Sequence, residues 1–473
     1  MKTSPQNDAT SVAIVGAGVA GLAAACVLAE SGFKVHLIER RGYLGGRASS
    51  YLHPGVNEVI DNCQHVLFGC CTNLLAFYER IGAREKIHWT GEMTMIEPGG
   101  RRSVLGPAPL PAPLHGFPRL LAASAFSLQD KLSLARAFSA VLRVDPKDSA
   151  TESLAAWLAR HRQSRGAVER FWKLVIASAL NAEIDQIAVP YAAKVIRELF
   201  MNSADAARMG INTAPLSELY TGVEGLLKKN GSSLHLNSNV ERLAWNPQVS
   251  QWSVITRTET LAADYLILAL PFEATAKLLP QMPPEPGVDA LERRIARHEH
   301  WPICSAHLWF DREITELDHA VMLDREIHWL FNRGKLQPWR KAEGSYIEVE
   351  VSASRTFAAL ERNQAIAQAR AELAEFFPAV NSARLIKAAL VKEVRATFGV
   401  PPGIDAFRPA AAESPWPNSF LAGDWTLTGW PSTMEGAARS GHLAAEALCA
   451  AIGIEQRFLA PDLKPRGLMR FLG

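Results

Sequence analysis

An α/β fold built on a parallel sheet is predicted by three features near the start of the chain. The apolar strand Val12-Ala13-Ile14-Val15 runs into the turn Gly16-Ala17-Gly18-Val19-Ala20-Gly21, an apolar helical run covers 22–28, and a second strand over 34–38 ends at Glu39. Each part has a task. Gly16 permits the tight turn, Gly18 lets backbone approach a pyrophosphate, and Gly21 lets the helix lie close on its strand, so that phosphates rest at the positive end of that helix. Glu39 follows the glycines at about the 20-residue spacing that places a carboxylate on the hydroxyls of an adenosine ribose. An acid there disfavours a 2′-phosphate, so the expected nucleotide is FAD or NAD rather than NADP.

The loop Gly42-Tyr43-Leu44-Gly45-Gly46-Arg47-Ala48 separates those two. In a site for extended FAD, paired glycines can pass beside the pyrophosphate, and Arg47 can set a cation against the phosphates or the polar edge of the flavin. An ordinary NAD dehydrogenase has no need of this loop. Arg40, directly after the ribose-binding acid, joins the expected cofactor contacts.

A chain of 473 residues exceeds what one core usually supports. Fifty Lys and Arg against 48 Asp and Glu, with no long block of like charge, exclude nucleic acid as an expected partner. The six cysteines form no CxxC pair and no metal-type cluster, so a reducing, cytoplasmic setting without structural metal is expected. The apolar run after Lys2 carries the nucleotide glycines and is therefore not a secretory signal. No run of 18 apolar residues is uninterrupted by charge or His; Arg439 and His442, for example, break the one near the C-terminus.

Residues 106–118 form a proline-rich break. From there to about 200 the apolar residues recur at helical spacing, as in Leu134, Phe138, Val141 and Phe171, Leu174, Val175. Short strands return from 234 onward, a second excursion carries strands around 305–310, 328–331 and 346–351 and a helix over 363–377, and the chain closes with a strand ending at Gly423-Asp424 and a helix over 436–452. The expected organisation is a discontinuous FAD-binding domain of 1–105, 205–275 and 385–460, an interleaved substrate domain of mixed sheet and helices of 106–204 and 276–384, and a tail of 461–473.

Gly16, Gly18, Gly21, Glu39, Gly45-Gly46-Arg47 and the C-terminal Leu421-Ala422-Gly423-Asp424 with Pro431-Ser432-Thr433-Met434-Glu435-Gly436-Ala437-Ala438-Arg439 together resemble the flavin amine oxidase and carotenoid desaturase superfamily. Within it, the segment Asp61-Asn62-Cys63-Gln64-His65-Val66-Leu67-Phe68-Gly69-Cys70, Asn181, Leu308-Trp309-Phe310-Asp311 and Gly423-Asp424-Trp425-Thr426 look most like the hydroxysqualene dehydroxylase family. By that resemblance Asp424 meets the ribityl or pyrophosphate part of FAD, and the helix near Gly436, with Met434, Glu435 and Ala437, directs its N-terminus at the pyrimidine end of the flavin. The same resemblance implies that Val240 meets the adenine through its backbone.

The implied reaction removes the hydroxyl of an allylic C30 alcohol as water and delivers hydride from reduced FAD, within isoprenoid or hopanoid lipid synthesis. It demands a proton donor, an apolar tunnel and exclusion of water. Asp61, expected to hold its proton through burial, is the first candidate donor and His65 the second, against the alternative that both serve turns. Trp430, Asn181 and Trp309 are the expected substrate contacts, with Phe310, Trp329 and Phe331 as further tunnel candidates; strand aromatics also suit a plain core. Cys63, Cys70 and Cys71 read as small buried apolar residues.

One nucleotide fingerprint implies a transient NAD(P)H or other reductant. The ligand class implies contact with a bilayer through 110–121 and the basic-apolar tail 464–472, at the cytoplasmic face of the inner membrane, and with upstream squalene-pathway synthases. Three alternatives stand beside this reading: a phytoene-type carotenoid desaturase, a flavin amine oxidase, and an FAD-binding partner of an isoprenoid synthase that does not turn over.

Overall fold

The computed structural model describes residues 10–147, 149–337, 339 and 344–471; Lys2 and Leu472 lie outside the described residues. A five-stranded parallel sheet collects segments from the whole length of the chain, in the order Ser233–His235, Lys34–Ile38 (β2), Ser11–Val15 (β1), Tyr265–Leu268, Ser419–Leu421. Parallel strands need crossovers, and the expected helix Val19–Glu30 (α1) supplies the first. Eleven of its 12 residues are buried, because it is covered on one side by the sheet and on the other by the closing helix Met434–Ala451. Its alanines and valines suit that place, since a helix wrapped on all sides is apolar all round.

The crossing of these helices is close enough to involve backbone. A Cβ on Gly441 would lie 2.2 Å from the Ala20 carbonyl oxygen, and one on Gly21 would lie 1.9 Å from that of Gly16. Both chain ends therefore pack around the same glycine turn.

A seven-stranded sheet forms the second layer, in the order Leu385–Phe398, His300–Phe310, Ser345–Ser352, Trp329–Asn332, His319–Met322, Met93–Ile96, Arg102–Leu105. One face, with Ala306, Leu308, Leu330 and Val349, packs on the helix Arg362–Phe376. The register puts Trp329, Glu350 and Ser305 side by side in one row, and Phe331, Glu348 and His307 in the next, on the opposite face. The expected domain limits need correction. Strands Met93–Ile96 and Leu385–Phe398 belong to this sheet because their partners are Val321, Met322 and the strand His300–Phe310. The boundaries thus fall before 93 and after 398, not at 105 and 385.

The helical insertion runs through Phe117–Ala122, Leu128–Val141 and Leu154–Arg160, then the π-helical Val168–Ala177 and, after Val189–Ile196, the π-helical Arg197–Met201. It roofs the space between the two sheets.

Gly441→Ala is expected to push α1 off the closing helix, costing about 1–3 kcal/mol as an overpacked contact does. The denaturation midpoint should fall and bound flavin should be lost with it; an unchanged midpoint would contradict the crossing described.

Candidate active site

The nucleotide end of the site is made by three loops that hold one another. Gly45 N–H donates to the Ala17 carbonyl at 2.9 Å, and Gly18 and Gly45 pair as a parallel bridge. The Glu39 carboxylate accepts from Ala17 N–H and Arg41 N–H, each at 2.9 Å, and is buried. Ser238 N–H donates to the Glu39 carbonyl at 2.9 Å, which lays Ser238, Asn239 and Val240 alongside the acid. No side chain caps α1 at Gly18, and nothing lies within 4 Å of where a Gly18 Cβ would stand. Free helix-end N–H groups, an open space and a fixed carboxylate fit the pyrophosphate and ribose of FAD. Arg40 lies on the rim of the same space.

The second part of the site joins the chain ends electrostatically. Arg47 donates to Asp424 through Nη2 and to the Ala396 carbonyl at 3.0 Å through Nη1, and Ser432 holds the other Asp424 oxygen. Burial opposes the charge of Asp424, but Arg47 and Ser432 outweigh it and hold the carboxyl below its usual range. Arg408, which the sequence pattern did not single out, is wholly buried and fixes the loop after Gly423. It reaches the carbonyls of Asp424 at 3.0 Å and Trp425 at 3.3 Å, and that of Thr426. Thr433 caps the closing helix by accepting from Gly436 N–H at 3.0 Å.

From here a cavity of about 970 Å³ continues beneath the helical insertion to the seven-stranded sheet. Gly16, Gly18, Glu39, Arg40, Gly45, Gly46, Arg47, Val240, Gly423, Asp424, Met434, Glu435 and Ala437 all line it, while Gly21 lies behind it, against the Gly16 carbonyl and Ala269. Toward the sheet its lining is largely apolar, with Met95, Val175, Val321, Trp329, Phe331 and Ile303, and also carries Gln64, His65 and Glu350.

Several expected roles are corrected. Asp61 does not line the cavity. Its carboxylate pairs with Arg333 and accepts from Ser50 Oγ at 2.6 Å, Asn212 Nδ2 at 3.0 Å and Leu216 N–H at 3.1 Å. Burial by itself would raise its pKa. Arg333 and these donors reverse the sign and keep it ionised, so it is not the proton donor. His65 does line the cavity, but burial lowers its pKa, and its Nδ1 bonds to the Cys63 carbonyl at 3.0 Å. It is a neutral ring and not an imidazolium acid.

Trp309 stacks on Tyr346 at 4.3 Å in a separate core and does not reach the cavity, nor does Phe310. Asn181 is at the cavity edge with a left-handed backbone, and both ends of its amide are engaged: Trp301 carbonyl, Thr397 Oγ1 at 2.9 Å and Ala353 N–H. It ties the insertion to the sheet rather than offering a free polar group. Glu435 points its carboxylate at Asn73 N–H, Leu74 N–H and Arg439, capping the helix Thr72–Arg80, so only its backbone can serve a cofactor. Trp430 is on the cavity wall with Lys194 and Arg439 each 4.8 Å from its ring centre. Cys63 and Cys70 are buried, and their thiols are pushed well above the usual range.

The sequence reading also missed Glu350, which lines the cavity beside Gln64. In Tyr346-Ile347-Glu348-Val349-Glu350-Val351 the alternation resembles a strand with a solvated face, yet every residue from 345 to 352 is buried. Among the described residues no group of His, Cys, Asp and Glu could hold a metal ion.

A parallel nucleotide sheet, both chain ends on one elongated site and an apolar chamber beyond it define an FAD-dependent oxidoreductase. The chain belongs to the family of flavin-containing amine oxidoreductases, whose model matches residues 19–449. It is 27% identical over 490 residues to a probable zeta-carotene desaturase of Synechococcus elongatus, covering 94% of this chain and 99% of that one. The 15-cis-phytoene desaturase of the same organism is 25% identical, covering 93% and 96%. Among solved structures, an oxidoreductase from Methanosarcina mazei matches with a TM-score of 0.71 at 17% identity, over 91% of this chain and 99% of that one. A putrescine oxidase matches at 0.69 and 16%, over 93% and 99%. These two share the fold.

Asp61→Asn is expected to take from the buried Arg333 the nearer of its two carboxylates, leaving Glu348 at 3.5 Å, and to cost about 3–5 kcal/mol. The carboxyl is held below its unfolded value, so wild-type stability from this pair is present at neutral pH and is lost as pH falls through the depressed pKa. Denaturant titrations across the acid range should show that loss in the wild type and a flatter profile in the variant.

Proposed function

We propose that this flavoenzyme exchanges hydride with an allylic carbon of a long polyisoprenoid. The observation that carries this is the apolar chamber, continuous with the flavin site, whose far wall is Met95, Val175, Val321, Trp329 and Phe331. Bound flavin supplies the hydride chemistry. The chain's own residues bind the coenzyme through Arg47, Asp424 and Glu39 and exclude water with the roof of helices. A chain lacking polar handles is held there by burial alone, worth about 25 cal/mol per Å² of apolar surface.

Two directions of transfer have support. The named activities of the relatives, which are carotene and phytoene desaturases over more than 90% of this chain, weigh toward the oxidative direction with a carotenoid. The segment 62–68, which carries the resemblance to hydroxysqualene dehydroxylases, lies on the chamber wall and weighs toward the reductive one, hydroxysqualene to squalene. In that case the reductant is a transient hydride donor of the reduced nicotinamide class. An amine oxidase reading has less support, because the relatives matched at 25–27% identity are named as desaturases, while the putrescine oxidase is 16% identical.

We also propose that the protein works at a bilayer, on its cytoplasmic face, where synthases of the squalene pathway release substrate. Leu110, Leu114, Phe117 and Leu121 are exposed, and the tail joins them: Leu468 N–H donates to the Ala112 carbonyl at 2.8 Å, and Phe471 is 83% exposed. Lys464 and Arg470 are exposed beside them, a composition suited to an anionic interface. No helix among the described residues is long and apolar enough to cross a membrane.

Anaerobic photoreduction followed by hydroxysqualene should reoxidise the flavin and yield squalene if transfer is reductive. Oxidised protein that desaturates phytoene instead would establish the relatives' direction, and inertness toward both would overturn the polyisoprenoid reading. Flotation with anionic liposomes should recover the wild type, and the double variant Leu114→Asp/Phe471→Asp should stay at the bottom of the gradient; equal recovery would remove this surface from membrane docking.

A further inference from the structure

Three carboxylates converge behind the chamber wall: Asp61, Glu348 and Glu350, all buried. Arg333 is placed against the first two. It pairs with Asp61 and comes within 3.5 Å of Glu348 Oε2, while its Nη1 donates to Gln64. Glu348 also has Ser305 Oγ at 2.9 Å and His307 Nε2 at 3.7 Å. Glu350 makes no ion pair among the described residues. Its carboxyl accepts from the backbone N–H of Gln64, and of the three it alone lines the chamber.

The groups facing Glu350 from each neighbouring element leave it without a cation of its own. Across the sheet stand Trp329 on one side and Ser305 on the other, with Cys304 following on that strand. From the segment above come Cys63, Gln64 and His65, from its own strand Glu348, and from further off Asp61, Arg333 and Glu393. Burial first, and the charge of Glu348 second, drive its carboxyl well above the ordinary range, against Gln64 N–H and Arg333. Such a shift favours the protonated, neutral form of the carboxyl. The Gln64 N–H occupies Oε1, which leaves Oε2 to carry the proton.

We propose that Glu350 is the acid that protonates the leaving hydroxyl of an allylic polyisoprenoid alcohol. This rests on the reductive reading above. In the step, the Glu350 O–H bond breaks and an O–H bond to the leaving oxygen forms. The C–O bond breaks with its electron pair, releasing water, and a C–H bond forms at the same allylic system with a hydride. The two electrons come from reduced flavin, replenished by a hydride donor of the reduced nicotinamide class, and Glu350 regains its proton from solvent. Oxidative desaturation has no leaving oxygen and no use for such an acid.

Glu350→Gln keeps the shape and the neutral charge, so folding and flavin content should match the wild type. Infrared difference spectra of the oxidised holoenzyme across a pH titration should show a protonated carboxylic-acid carbonyl band at neutral pH that is absent in Glu350→Gln. Single-turnover conversion of hydroxysqualene by photoreduced enzyme should fall about 100- to 10,000-fold in Glu350→Gln, with Glu350→Asp between the two. The wild-type rate should decline as pH rises through the carboxyl's elevated pKa. A missing band, or wild-type turnover in Glu350→Gln, would overturn the assignment. A wild type that removes no hydroxyl but desaturates phoytene-type chains while still showing the band would overturn the reductive reading, and the catalytic role with it.

Discussion

The contact between α1 and the closing helix governs the architecture. Gly441 allows that helix to touch the backbone of Ala20, and this approach brings residues from opposite ends of the chain to one glycine turn. Gly423 and Asp424 then lie beside Arg47, and the ion pair between Arg47 and Asp424 closes the middle of an elongated cofactor site. Without the helix contact there is neither a complete nucleotide site nor a floor to the chamber beyond it.

Buried charge is divided along this protein by partner. Arg47 with Asp424 and Arg333 with Asp61 are matched pairs with added hydrogen bonds, the arrangement in which buried ions are tolerated. Arg408 satisfies a loop of carbonyls instead of a carboxylate, which stiffens the segment carrying Asp424. Glu350 has no such match, and burial beside Glu348 shifts it toward the protonated form.

Much of the cofactor half was legible in the sequence because it is local. The glycine turn, Glu39 and the Gly45-Gly46-Arg47 loop owe their roles to backbone conformation and to positions a few residues apart, and the Asp424 loop carries its own motif. The substrate half was legible in its elements but not in its assignments. Trp309 is on the predicted strand yet packs in a separate core, while Trp329 and Phe331, on the next strand but one in the sheet, reach the chamber. Asp61 was recognised as buried, but the sign of its pKa shift depended on Arg333, 272 residues away.

By itself the sequence determined the α/β class, the nucleotide and the local turns of its site, since period, turn chemistry and glycine spacing act over short stretches of chain. Only the tertiary structure decided which strands belong to which sheet, which aromatics face the chamber and which buried carboxyl lacks a cation. Those properties depend on cross-strand partners and on the full set of charges around a buried group, and both are brought together by folding from segments hundreds of residues apart.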